Sequence, residues 1–185
     1  SVTLAENFDG VVIPALPAGW TATVAVGLST NNWRTVNTAP DTPPNAAFVP
    51  DPSTTHDIRL DTPVFAVGAG MARLSFRHNY TTETNWDGGV LEISINAGFY
   101  QDILVAGGSF VSGAYNAGVL NASANPLGGR AAWRGTSGGY ITTVVNLPAA
   151  ASGQNVQLRW RFGSDSSVSS TGWRVDTITI FGDFV

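Results

Sequence analysis

Gly135-Thr136-Ser137-Gly138-Gly139 matches the G-x-S-x-G pattern of a nucleophilic serine, and His56 and Asp87 could be drafted as its base and its acid. In a hydrolase elbow that serine stands on a sharp strand-to-helix turn, which lifts its hydroxyl out of the sheet. Here the residues after Gly139 read as another strand, and no helical pattern follows. The bland reading, a glycine-rich hairpin turn, is the stronger one, because short motifs match by chance and a triad is a matter of geometry. A glycosidase needs two facing carboxylates, and Glu92 with Asp87 would be the pair. Yet Glu92 is the polar member of an alternation with Leu91, Ile93 and Ile95, and no second carboxylate lies two residues away on its face. With no cysteine and only 2 histidines, a zinc site lacks ligands. No catalytic residue is expected.

Two acids stand where hydrophobic residues belong. Glu6 shares strand parity with Leu4 and Phe8, and Asp176 shares it with Ile178 and Ile180. Alternate residues of a strand face the same way, so each carboxylate points with apolar side chains and needs a partner. If the first and last strands are neighbours, the two acids repel unless a cation sits between them. Calcium, which takes six to eight oxygen ligands, would serve. Arg59 or Arg174 is an equally good partner, and a β-bulge that turns the acid outward is a third solution. Among the 6 tryptophans, Trp20, Trp160 and Trp173 sit in apolar patterns and read as core, whereas Trp133 fits either role. Trp33 and Trp86 lie in polar loops, where binding residues concentrate. These two, with Asp87 beside Trp86, are the candidate ligand-binding residues.

The elements that must position these residues are short strands. Met71–Asn79, Val90–Ile95 and Val156–Phe162 alternate cleanly between apolar and polar positions. Strands are also expected at Ser1–Asp9, Thr21–Val26, His56–Asp61, Pro63–Val67, Tyr100–Val105, Ala131–Arg134, Tyr140–Leu147 and Gly172–Ile180. Residues 29–56, rich in Asn, Thr, Pro and Asp, read as one irregular excursion, and 107–129 as a Gly/Asn/Ser/Ala loop. Asn79-Tyr80-Thr81 and Asn121-Ala122-Ser123 fit the N-glycosylation pattern. No amphipathic run of helical period exceeds two turns. Many short strands with Gly/Pro-rich turns predict an all-β fold, a two-sheet antiparallel β-sandwich, in one domain over residues 1–185.

Composition narrows the partners. Charged residues are 12% of the chain against a usual ~25%. All 9 cationic residues are arginine, and the net charge is −4. With no basic block, nucleic acid is not an expected partner. No apolar run approaches the ~20 residues of a membrane span, and no signal peptide opens the chain, as expected of a mature or excised piece.

Several stretches, taken in order, resemble the β-sandwich accessory domains of bacterial secreted and surface proteins. They are Glu6-Asn7-Phe8-Asp9, Leu16-Pro17-Ala18-Gly19-Trp20, Asp57 to Pro63, and Leu74-Ser75-Phe76-Arg77-His78. Asp87 to Ser94, Gly163-Ser164-Asp165-Ser166 and Gly172-Trp173-Arg174-Val175-Asp176 complete the set. Such domains lie C-terminal to immune-inhibitor-A-type peptidases, among the cleaved-adhesin domains of gingipains, and in the related MAM group. The resemblance implies a jelly roll of the galactose-binding or MAM-like kind, without catalytic activity, excised from a larger secreted protein. It also implies structural calcium near the terminal strands, held by Glu6, Asp57 and Asp176 with backbone carbonyls. The family often has two acids where Val175-Asp176-Thr177 has one, and residues 38–52 look like an insertion. The function it leads to expect is calcium-stabilised binding or adhesion at a bacterial surface or outside the cell. The partner would be a glycan, a cell-surface protein or a neighbouring domain of the same polypeptide. A purely structural role beside a protease is the alternative, and a glycoside hydrolase the remote one.

Overall fold

The structure is a computed structural model that describes residues 1–182 except 117, 119, 122 and 123. The sequon at Asn121 therefore lies partly outside the described residues. The strands, in chain order, are β1 (Val2–Glu6), β2 (Thr21–Val26), β3 (Arg34–Val36), β4 (Ala46–Asp51), β5 (His56–Asp61), β6 (Phe65–Ala66) and β7 (Ala72–Thr81). They continue with β8 (Gly88–Ile95), β9 (Gln101–Asp102), β10 (Ser109–Ser112), β11 (Trp133–Arg134), β12 (Ile141–Asn146), β13 (Asn155–Ser164) and β14 (Ser170–Gly182). Two single-turn 3₁₀ helices, at Ser29–Asn31 and Ala149–Ala151, are the helical segments among the described residues.

The strands form two seven-stranded sheets. One has the order β10-β12-β7-β14-β4-β3, and β1 extends the β4 edge of β14. The other has the order β11-β8-β13-β5-β2, with β6 against β13 and β9 against β8. Every pairing is antiparallel. The two apolar faces close on one core, as an all-β sandwich requires. Alternation decides which residues enter it: Ala72, Leu74, Phe76, His78 and Tyr80 of β7 are buried, and the residues between them are half-exposed.

Aromatic rings fill the centre. Phe76 meets Trp160 at 5.4 Å and Trp133 at 5.8 Å, both edge to face, and Trp133 and Trp173 lie 5.8 Å apart. Such contacts add about 0.5–1.5 kcal/mol each beyond the area they bury. Gly89 makes room for them: a Cβ there would lie 2.4 Å from the Trp173 ring.

The excursion at 29–56 is more ordered than its composition predicts. It contains β3 and β4, and β4 pairs with β14 along its length. Pro50 lies where the β4–β14 register shifts, so its missing N–H breaks no regular ladder. Conversely, Tyr100–Val105 is a strand only at Gln101–Asp102, and β10 emerges from the expected loop at 107–129.

Candidate functional site

The acids expected to hold calcium are not gathered. Asp57, on β5, is taken by two arginines: Arg161 donates to it at 2.9 and 2.8 Å, and Arg59 at 3.2 and 3.0 Å. Burial would raise its pKa, but those guanidiniums outweigh burial and hold it below the usual carboxylate range. Glu6 accepts the Phe8 amide at 2.7 Å. Asp176 is fully buried, yet not in the sandwich core. Thr177 adopts φ +50°, and the β14–β7 register shifts between Asp176 and Thr179. This bulge puts Asp176 out of phase with Ile178 and Ile180 and turns it under the 39–45 loop. There it accepts the amides of Asp41 (2.9 Å), Thr42 (3.0 Å) and Thr177 (2.7 Å). Glu6 is paired in register with Ile178 rather than with Asp176. The bulge, rather than a shared cation or an arginine, is the solution this strand uses.

The loop tryptophans part company. Trp33 is 3% exposed and packs 5.4 Å from Trp173, so it is part of the core and cannot stack on a ligand. Trp86 is half-buried in the β7–β8 loop beside Asp87. Ser137 is held as a turn residue: its hydroxyl donates to Gly139 O at 2.6 Å and accepts the Tyr80 amide at 2.9 Å. His56 lies against Leu28, Asn31 and Thr54, and His78 against Thr143 and Trp173, so neither histidine serves Ser137. Glu92 accepts from Arg130 and Arg161, which closes it off as an acid–base group.

Asp87 belongs to a cluster that residue patterns alone do not reveal. Among the described residues, the one group of acids and histidines with ligand atoms together is Glu83, Asp87 and Asp165, all within 4.8 Å of one another. Two loops at one end of the sandwich supply it, β7–β8 with Glu83 and Asp87 and β13–β14 with Asp165, and Asp51 at the end of β4 adjoins it. Asp51 accepts the Glu83 amide at 3.0 Å, and Asp87 accepts the Asp165 amide at 2.7 Å. The turn at 83–87 is closed by the amides of Trp86 and Asp87 on Glu83 O, with Asn85 at φ +72°. The Asn125 carboxamide ties this turn to β13 by donating to Trp86 O at 2.7 Å and Gly163 O at 2.8 Å.

The electrostatics are unfavourable as they stand. The ion pairs among the described residues engage Asp41, Asp57, Asp61, Glu92 and Asp102, not these four acids. Asp51 Oδ1, Glu83 Oε2 and Asp87 Oδ2 are buried oxygens without a hydrogen-bond donor. Burial first, and the facing Asp51 carboxylate second, push Asp87 up to about 9. Burial also raises Asp51 and Glu83, Glu83 with the further help of Asp165. A buried polar atom without a partner costs about 1–3 kcal/mol, and more when charged. A cation held by Glu83, Asp87 and Asp165 would satisfy the orphaned oxygens of Glu83 and Asp87 and reverse the repulsion. The donors are all oxygens, as hard cations such as calcium and magnesium require. Glu83, Asp87 and Asp165 could thus hold a metal. The sequence signal was the i, i+4 pair Glu83 and Asp87 in one polar loop. Asp51 and Asp165 join only through the fold.

No protein-family model matches the chain, and no curated protein does. Solved structures do. The K1 cleaved adhesin domain of Lys-gingipain from Porphyromonas gingivalis W83 superposes with a TM-score of 0.57 at 18% identity, covering 100% of both chains. TmCBM61 in complex with β-1,4-galactotriose gives a TM-score of 0.52 at 10% identity, over 96% of this chain and 99% of that one. The CBM22-1 xylan-binding domain of Paenibacillus barcinonensis Xyn10C gives 0.53 at 9%, over 97% and 93%. At such identities the likeness establishes the fold alone. The chain has the two-sheet β-sandwich architecture that cleaved-adhesin domains and carbohydrate-binding modules share.

Proposed function

We propose that this protein is a non-catalytic, calcium-stabilised binding module of a larger secreted or surface-attached bacterial polypeptide. The observation that carries the calcium reading is the cluster of Asp51, Glu83, Asp87 and Asp165, with its three buried carboxylate oxygens that lack a donor. Glu83, Asp87 and Asp165 are the ligands, and Asp51 stands behind them. The cation supplies charge neutralisation and a bond to the orphaned oxygens of Glu83 and Asp87, pinning the β7–β8 loop to the β13–β14 loop. Extracellular calcium modules work at Kd values of about 10⁻⁴–10⁻³ M, where a solvent-edge site of this kind fills outside the cell. The absence of cysteine places no obstacle to that setting. Support for a binding role is the shared architecture with adhesin and carbohydrate-binding domains, together with the engagement of Ser137, His56, His78 and Glu92 in purely structural contacts.

The test is thermal melting with calcium and with chelator. A ligand that binds only the native state stabilises it by RT ln(1 + [L]/Kd), about 2.7 kcal/mol at a hundredfold excess over Kd. Calcium should therefore raise the melting temperature, and chelator should lower it. Asp87→Asn should abolish that response. It should also make the chelated protein more stable than its chelated parent, since the carboxyl that burial pushes up to about 9, and that is ionised in the unfolded chain, has been removed. A melting temperature indifferent to both reagents, with no metal by elemental analysis, contradicts the proposal.

A further inference from the structure

We infer that the outer face of the β8–β13–β5 sheet carries a binding groove for a neutral glycan, beside Tyr100 and Phe99. The inference rests on the binding-module reading above and gives it a ligand class and a place. It does not involve the acidic cluster.

The groove, about 440 Å³ in volume, is lined by Val64, Ser94, Asn96, Asn155 and Gln157, among others. Its floor follows from register. Ser94 on β8 and Gln157 on β13 are directly paired, with polar side chains on the face opposite the core. One row along, Glu92 pairs with Arg159, and Arg159 with Asp61. Arg159 shares its face with Gln157 at a two-residue spacing of roughly 7 Å, so that row borders the groove. Over Arg159 lies the Tyr100 ring, its centroid 3.6 Å from the guanidinium carbon. Tyr100 stacks there on a fixed cation, since the Asp61 carboxylate takes Arg159 at 2.7 and 2.8 Å. The ring is thus preorganised and only half-buried. Beside it Phe99 is 98% exposed, presented by a tight turn in which Asn96 and Ala97 both have positive φ. A single exposed apolar residue needs no explanation. An exposed phenylalanine next to a tyrosine stacked on a paired arginine, one strand row from a groove lined by carboxamides, describes a recognisable chemistry. The rings offer flat apolar surface for the C–H faces of a sugar, and the exposed Asn155 carboxamide offers a donor and an acceptor for its hydroxyls, while the Gln157 and Asn96 amides already donate to Thr62 O and Gln154.

Charge selects the ligand class. Four arginines on this face, Arg59, Arg130, Arg159 and Arg161, are paired with four carboxylates, Asp57, Asp61, Glu92 and Asp102. Every guanidinium is committed, so the face carries no spare cation for phosphate, sulfate or uronate. Nor has it spare anion for a basic peptide. A neutral, hydroxyl-rich ligand fits it.

The experiment is native affinity electrophoresis through gels holding β-1,4-galactan, xylan, mannan or β-1,3-glucan, with calcium present. It is run on the protein, on Phe99→Ala and on Asn155→Ala. These residues are exposed, so melting temperature and the calcium response should be unchanged in the variants. Retardation by at least one polysaccharide, weakened about tenfold or more in both variants, is the expected result. Equal retardation of protein and variants overturns the placement and leaves the binding-module reading intact. No retardation in any gel, with the calcium response present, overturns the glycan class. Retardation lost in the variants of a protein that ignores calcium upholds the groove and removes the calcium reading instead.

Discussion

His78 is a titratable residue sealed in the core, 0% exposed, and its neutrality is built into the hydrogen bonds around it. Its Nδ1 accepts from Trp173 Nε1 at 3.1 Å, and its Nε2 lies 2.7 Å from the Thr143 hydroxyl, which donates onward to Gly113 O. Burial first, and the nearby Arg77 charge second, push the imidazole down to about 3. A histidine whose folded pKa is depressed contributes stability above its unfolded value near 6.5, and that contribution is lost as pH falls towards 3. The slope is about 1.4 kcal/mol per pH unit. Asp87 and Asp176 work in the opposite sense. Burial raises them to about 9 and about 6, so in the metal-free protein their share of stability is present at low pH and lost as pH rises. The histidine is isolated by comparing the protein with His78→Asn in urea unfolding from pH 7 to 5. The stability difference should shift against the histidine form by about 1.4 kcal/mol per unit below 6.5. Parallel curves would mean that His78 does not titrate on unfolding as described. Neither histidine's role was legible in the sequence, since a parity argument places His78 inward but cannot supply Trp173 and Thr143 as its partners.

At the scale of elements, alternation carried most of the prediction. β7, β8, β12 and β13 lie within two residues of where the apolar periods put them. β4 was hidden because Pro43, Pro44, Pro50 and Pro52 surround a short apolar run, and proline normally argues against a strand. Its place beside β14 depends on a register shift at Pro50, a tertiary adjustment. The same limit misplaced Asp176: one residue in positive φ at Thr177 reverses the parity of everything before it. The ladder of charges across β5, β13 and β8 gives a test at this scale. Arg161 grips Asp57 bidentately and reaches Glu92 at 3.1 Å, and both acids are almost fully buried. Arg161→Ala leaves two buried carboxylates short of a partner and should cost about 3–5 kcal/mol in chemical unfolding. A loss under ~1 kcal/mol, the worth of an exposed ion pair, would mean the ladder is well solvated.

For the whole molecule, the fold separates two tasks. The loops between β4, β7–β8 and β13–β14 bring four acids to one end of the sandwich, while the outer sheet face keeps its charges balanced. The sequence indicated a sandwich, left cation, arginine and bulge open for its inward acids, and only through the family resemblance led to expect calcium at the terminal strands. Those strands do lie side by side, yet their acids find backbone amides, and Asp57 finds arginines. Asp51, Glu83 and Asp87, each with a buried oxygen that lacks a donor, meet Asp165 only because the closed topology unites their segments. Terbium, which replaces calcium and emits when a nearby tryptophan is excited, tests that assignment most directly, because Trp86 adjoins Asp87. Chelator-treated protein titrated with terbium should show sensitised emission that calcium displaces. Trp86→Phe should dim it, and Asp87→Asn and Asp165→Asn should each abolish it. Absence of emission, or emission that survives both aspartate substitutions, would contradict a cation held by Glu83, Asp87 and Asp165.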